Sequence, residues 1–100
     1  MSKKNKIINE LIDLGLPMNG DYFRYWYELL ATDCSKGFKD KNTTTKYKYI
    51  TKKFGTTYGA AERMLRYGKK MMEKRIEEKY NISSRITNET VIILFELMIF

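Results

Sequence analysis

The sequence predicts a small all-helical bundle of five or six helices, and three observations carry that expectation. Apolar residues recur at three- and four-residue spacing in successive stretches. Capping residues stand before those stretches, and glycines close several of them. No strand alternation or internal repeat interrupts the pattern. With 100 residues the chain makes one domain, spanning 1–100, and a domain of this size buries about 60 to 65% of the surface its unfolded form exposes. Hydrophobic residues at 43% and charged residues at 31%, with one proline and six glycines, exclude a disordered or collagen-like chain.

Ile7, Ile8, Leu11, Ile12 and Leu14 share helical spacing, and Gly15-Leu16-Pro17 stops them with a C-cap glycine and a proline. Asn19, Gly20 and Asp21 offer caps for a second helix running through Tyr22, Phe23, Tyr25, Trp26, Leu29 and Leu30 to about Cys34. Its aromatics and leucines form one stripe, expected to pack in the core and not to stack on bases. Ser35 to Asn42 reads as a loop, Thr43 to Thr45 cap a third helix carrying Tyr47, Ile50, Thr51 and Phe54, and Gly55 ends it. The strand-like alternation from Lys46 to Tyr49 is too short to outweigh the helical spacing.

Thr56 and Thr57 are N-cap candidates for a fourth helix, in which Ala61, Met64, Leu65, Gly68, Met71 and Met72 fall on one face expected in the core. That helix runs to about Lys79. Asn81 to Ile86 form a connection, and Thr87-Asn88-Glu89-Thr90 cap a last helix through Phe100. The apolar run Val91 to Phe100 contains Glu96 and falls well short of the roughly twenty residues a membrane span needs. It reads as a core helix, with a dimerisation surface as the other reading.

Several functions are disfavoured by what is missing. A chain with no histidine lacks the side chain most used for proton transfer near neutral pH and for zinc. Cys34 is alone, so neither an internal disulfide nor a paired-cysteine metal knuckle can form; it reads as a small hydrophobe in a reducing cytoplasm. The basic start has no long apolar run behind it, unlike a secretory signal. No paired carboxylates, base-flanked nucleophile, phosphate-cradling glycine loop or metal-ligand cluster is visible, so the expectation is a non-enzyme with no catalytic residue, metal or cofactor.

Charge points the other way, toward a partner. The net charge is +7, and from Lys36 to Arg75 thirteen Lys and Arg face only three acids, a net +10 that exceeds the whole chain's. A solvated lysine-rich face does not by itself explain such concentration, whereas a polyanion partner does, nucleic acid first. Inside that segment Thr51, Gly55 and Ala61 have the spacing of a helix-turn-helix, at about residues 45–79. A small residue faces the second helix, glycine makes the turn, and another small residue permits close approach. A helical hairpin within a bundle satisfies similar constraints.

On a wheel of about 100° per residue, Leu65, Met64, Gly68 and Met72 lie within about 60° of Ala61, and Arg66, Gly59, Lys70 and Arg63 lie opposite. Arginine reads guanine through O6 and N7, and a glutamate accepts from the cytosine amino group, so Glu62, Arg63 and Arg66 are the candidate base contacts. The plainer alternative is a surface ion pair between Glu62 and Arg66, one turn apart; both can hold. Lys52, Lys53, Lys69 and Lys70, with Thr56, Thr57 and Tyr58 at the start of the fourth helix, suit phosphate oxygens.

The string Ile50-Thr51-Lys52-Lys53-Phe54-Gly55-Thr56-Thr57, followed by Glu62-Arg63-Met64-Leu65-Arg66, resembles the C-terminal DNA-binding domain of the sporulation master response regulator of spore-forming bacteria. Leu11 to Pro17, Gly20 to Phe23 and Ile86 to Glu89 are similar to other segments of that domain, and the similarity covers about residues 7–97. The resemblance implies six helices around a helix-turn-helix, bound to double-stranded DNA as tandem copies; a homodimer is the other expected arrangement on DNA. By position it implies that Glu62, Arg63 and Arg66 are recognition contacts, while a family arginine is Ala60 here and a family serine is Gly59. The connection between Lys79 and Thr87 looks shorter than the family's.

The expectation is therefore a sequence-specific transcriptional regulator in the bacterial cytoplasm, associated with the nucleoid and not with a membrane. No receiver domain precedes it in this sequence, so its control is expected to differ from the family's. The alternative is an interaction module that associates with a host regulator or RNA polymerase through its apolar last helix.

Overall fold

A computed structural model describes residues 2–36 and 42–99. Helix α1, Lys3–Asp13, begins where the Ser2 hydroxyl accepts the amide of Asn5 at 3.1 Å. It stops where Gly15 takes a φ of 107° and the Leu16 amide returns to the Leu11 carbonyl at 3.1 Å. Helix α2, Asp21–Lys36, follows the turn closed by the Gly20 amide on the Pro17 carbonyl at 3.1 Å.

Helix α3, Thr43–Phe54, is capped one residue earlier than its threonine run suggests. Asn42 Oδ1 accepts the Thr45 amide at 2.8 Å, and Thr43 to Thr45 form the first turn. The side-chain amide of asparagine reaches the third residue as well as a hydroxyl does, so the cap falls on the better-placed neighbour. Gly55 ends α3 with a left-handed φ of 61°, and the Thr56 amide bonds the Thr51 carbonyl at 3.1 Å. Helix α4, Tyr58–Tyr80, starts after the three-residue turn Gly55-Thr56-Thr57, its Ala60 amide capped by the Thr57 hydroxyl at 3.1 Å. Helix α5, Asn88–Met98, opens on a reciprocal capping box between Thr87 and Thr90.

Five helices thus account for the described residues, which contain no strand; residues 81–87 hold none, so the additional helix the family resemblance implies has no counterpart there. Residues 37–41 of the expected loop, and Phe100 at the expected end of the last helix, lie outside the described residues.

Helix α2 is the hub, packing against each of the other four. Its buried Phe23, Trp26, Leu29 and Leu30 meet Ile7 and Leu11 of α1, Ile50 of α3, Leu65 and Met72 of α4, and Phe95 of α5 in one core cluster. Cys34 is half-buried against that cluster. Only one face of α5 enters it, through Val91, Ile92 and Phe95, while Ile93, Leu97 and Met98 face solvent. The core reading of that helix therefore holds for half its circumference.

The tightest approach in the fold is between α2 and α4. The buried Trp26 indole donates its Nε1 proton to the Leu65 carbonyl at 2.8 Å. A Cβ on Gly68 would lie 2.8 Å from Trp26 Cδ1 and 2.9 Å from its Nε1. Glycine costs a helix interior about 1 kcal/mol relative to alanine, so it stands here because the indole fills the methyl's place. Gly68→Ala is accordingly expected to lose about 1–3 kcal/mol in urea unfolding despite its better helix propensity. A variant as stable as the parent would show that the indole yields freely.

Candidate nucleic-acid interface

The α3 and α4 helices are joined by Gly55, Thr56 and Thr57 alone, and they pack on one another. Thr51, the bulkier residue in that arrangement, is accommodated because its hydroxyl turns back to donate to the Tyr47 carbonyl of its own helix at 2.8 Å. Ala61 is fully buried behind it on α4. Phe54, the last residue of α3, stacks on Tyr25 of α2 with centroids 4.2 Å apart and fixes the end of the helix before the turn.

With Ala61, Leu65, Gly68 and Met72 turned inward, α4 presents Arg63 and Lys70 to solvent, with Tyr67 and Lys74 beside them. Arg63 makes no ion pair with a described residue. Glu62 and Arg66 come together as their spacing suggests: Arg66 Nε–H donates to Oε1 and Oε2 of Glu62 at 3.0 and 3.2 Å. The pair is partly exposed, so its worth to stability is small, and its effect is to orient the guanidinium. Lys52 and Lys53 are exposed in the last turn of α3, where the helix dipole also favours them. Thr57 is exposed and already serves as the α4 cap, Thr56 is half-buried, and Tyr58 is exposed with its ring 5.8 Å from that of Tyr47.

Two expectations need correction. Lys69, expected among the phosphate contacts, is only 7% exposed, and its ammonium lies 2.5 Å from Glu73 Oε1. It stands about 80° from Ala61 on the wheel, at the margin of the covered arc, and a flexible lysine stem folds back there to meet a carboxylate one turn on. Met71, expected on the core face with Met64 and Met72, is exposed, and Met64 is half-buried. Met71 lies about 80° from Ala61 on the opposite margin, where its side chain stays exposed.

The basic segment is also less uniformly external than its count implies, because Lys46 is buried. Its ammonium sits 3.1 Å from Glu96 Oε2 of α5 and 3.4 Å from Asp33 Oδ1 of α2, with the three side chains 6%, 12% and 0% exposed. Further polar ties join α3 to α5: Asn88 Nδ2 donates to the Tyr47 hydroxyl at 2.9 Å, and the Thr43 hydroxyl to Glu89 at 3.0 Å. Burial pushes the Tyr47 phenol up to about 12, so it stays neutral and acts as an acceptor for Asn88.

Sequence reasoning missed Tyr67, Lys74 and Arg85. Tyr67 follows Arg63 by four residues on the same helix face, a spacing that marks it as a member of the exposed arc. Arg85 belongs to the connection before α5, which places it with Glu62 and Arg66 around a cleft of about 400 Å³; no periodic pattern announces such a position.

The arrangement offers cations and hydroxyls, fixed at the end of one helix and along the exposed side of the next, to an anionic surface. The chain matches no family model, and no curated protein or solved structure matches it. No helix among the described residues is long and apolar enough to cross a membrane.

Proposed function

We propose that this protein is a sequence-specific double-stranded DNA-binding regulator of transcription, in which α3, its turn and α4 act as a helix-turn-helix. One observation carries the reading: the outward arc of α4, separated from α3 by a turn of three residues, holds Arg63, Arg66 and Lys70. An α-helix fits the major groove of B-DNA, where arginine has two acceptors on guanine to bind. Arg63, Arg66 and Glu62 take the base-reading role. Lys52, Lys53, Thr56, Thr57, Tyr58 and Lys70 take phosphates, and Lys69 is withdrawn from that set. The kinship with the sporulation regulator's DNA-binding domain, a bacterial cytoplasmic setting and tandem or dimeric binding rest on the motif residues alone and belong to this proposal.

The test is selection of bound duplexes from a random pool, followed by titration at two ionic strengths. Specific duplexes should bind tighter than random ones, and affinity should fall steeply with salt as counterions are released. Equal binding of selected and random DNA at every salt would reduce the interaction to electrostatic adhesion. Arg63→Ala and Arg66→Ala should each weaken specific binding by about 1–3 kcal/mol, while Lys70→Ala weakens all duplexes alike. An Arg66→Ala loss of the same size on random DNA would move that side chain to the phosphate class.

A second reading has its own observation. Leu97 is 79% exposed, with Ile93 one turn before it and Met98 beside it, an apolar strip on the outer side of α5. An interaction module contacting a host regulator or RNA polymerase would use that strip. Capture of either from lysate after nuclease treatment, lost in Leu97→Asp, supports this reading; loss of every partner along with the nucleic acid rejects it.

A further inference from the structure

An arginine on an exposed helix face samples many rotamers, and binding two atoms of one base requires one of them. Arg66 is held on two sides. Glu62 takes its Nε proton, and its guanidinium carbon lies 5.4 Å from the centroid of the Tyr67 ring. Arginine prefers such an aromatic face, since its planar cation is weakly hydrated and attracted to the ring's negative side.

Tyr67 is itself anchored. Its ring, 42% exposed, meets Tyr22 of α2 edge to face with centroids 6.4 Å apart, and Lys70 Nζ lies 6.0 Å from its centroid. Tyr22 is packed against the core, so the ring is referenced to the hub helix and not only to its own. The two contacts on Arg66 engage its Nε and bring its guanidinium carbon over the Tyr67 ring. The terminal Nη1 and Nη2 groups have no hydrogen-bond partner among the described residues.

We propose that Tyr67 is a specificity-determining positioning residue: braced by Tyr22, its ring holds Arg66 against Glu62 so that both terminal nitrogens are offered to O6 and N7 of one guanine. This rests on the DNA-reading function above. The role needs the ring and not the phenol oxygen, which separates it from a phosphate contact made by a tyrosine hydroxyl.

The experiment has one arm without DNA and one with it. In the free protein, the Arg66 Nε proton should exchange with water several-fold more slowly than that of Arg63; Tyr67→Leu should erase the difference and Tyr67→Phe should keep it. In the second arm, each guanine of the selected duplex is replaced in turn by 7-deazaguanine, which lacks the N7 acceptor. Wild type and Tyr67→Phe should lose affinity at the guanine that Arg66 reads, as distinct from any read by Arg63, and Tyr67→Leu should show about three- to ten-fold less discrimination there. Arg66→Ala should show none, and adding Tyr67→Leu to it should change nothing further.

Equal exchange of the two arginine protons overturns the held geometry even if DNA is bound specifically. Tyr67→Phe behaving like Tyr67→Leu assigns the effect to the hydroxyl and overturns the proposal. Tyr67→Leu weakening all duplexes alike, with the 7-deazaguanine penalty intact, makes Tyr67 a general contact and overturns it as well. A wild-type protein that selects no duplex removes the DNA reading, and this proposal with it, whatever the exchange rates.

Discussion

Lys46→Met is expected to destabilise the fold by about 3–5 kcal/mol at neutral pH, the loss typical when one partner of a buried ion pair is removed. The ammonium lies between Asp33 and Glu96, at 3.4 and 3.1 Å. Methionine keeps most of the aliphatic stem, so the lost packing is small and the effect is electrostatic. What remains is the Glu96 carboxylate beside the Asp33 carboxyl, both largely buried, with the attraction of Lys46 gone and the Asp33 proton held more firmly. Urea unfolding at pH 7 measures it. A loss below about 1 kcal/mol, the range of exposed pairs, would mean that water reaches the cluster.

Asp33→Asn should act in the opposite direction, and in a pH-dependent way. Burial pushes the Asp33 carboxyl up to about 7, Glu96 beside it adds to the rise, and Lys46 offsets only part of it. In the unfolded chain the same carboxyl ionises near 3.8. Between those values the folded state holds a proton that the unfolded state has released, so this group's contribution to stability falls as pH rises and is lowest above pH 7. Asparagine reproduces the shape of the protonated acid without its titration. The advantage of Asp33→Asn over wild type should therefore widen from about pH 4.5 to about pH 7 and level off above, by a total of about 2–4 kcal/mol. The comparison uses paired urea titrations across that range. Parallel stability curves for the two proteins would contradict the raised carboxyl.

Both expectations concern a cluster that sequence reasoning passed over, and the reason is physical. Periodicity locates Lys46 in a helix and counts it as a cation, but its partners stand 13 and 50 residues away and are chosen by how α2 and α5 dock. Local pattern was sufficient where local forces decide. The glycine stop at Gly55, the Thr57 and Thr87 caps, the inward Ala61–Leu65–Gly68–Met72 arc and the Glu62–Arg66 pair all follow from spacings of three to six residues. It was insufficient at the edges of that arc. Lys69 and Met71 stand at similar angles on either side of Ala61, yet one is buried on Glu73 and the other is exposed, because different neighbours flank the two margins. A wheel gives the direction of a side chain and not the width of what covers it.

The indole lodged against Gly68 gives the molecule an internal optical gauge. Trp26 is the only tryptophan in the chain, and it is seated directly behind the helix whose outer side carries the arginines. Its emission reports a dry, hydrogen-bonded setting at the contact of α2 with α4. A red shift or quenching on adding duplex would mean that engagement loosens the seat of that helix, and an unchanged spectrum would mean that the protein docks as a rigid body. A single emission spectrum, without any attached dye, distinguishes the two.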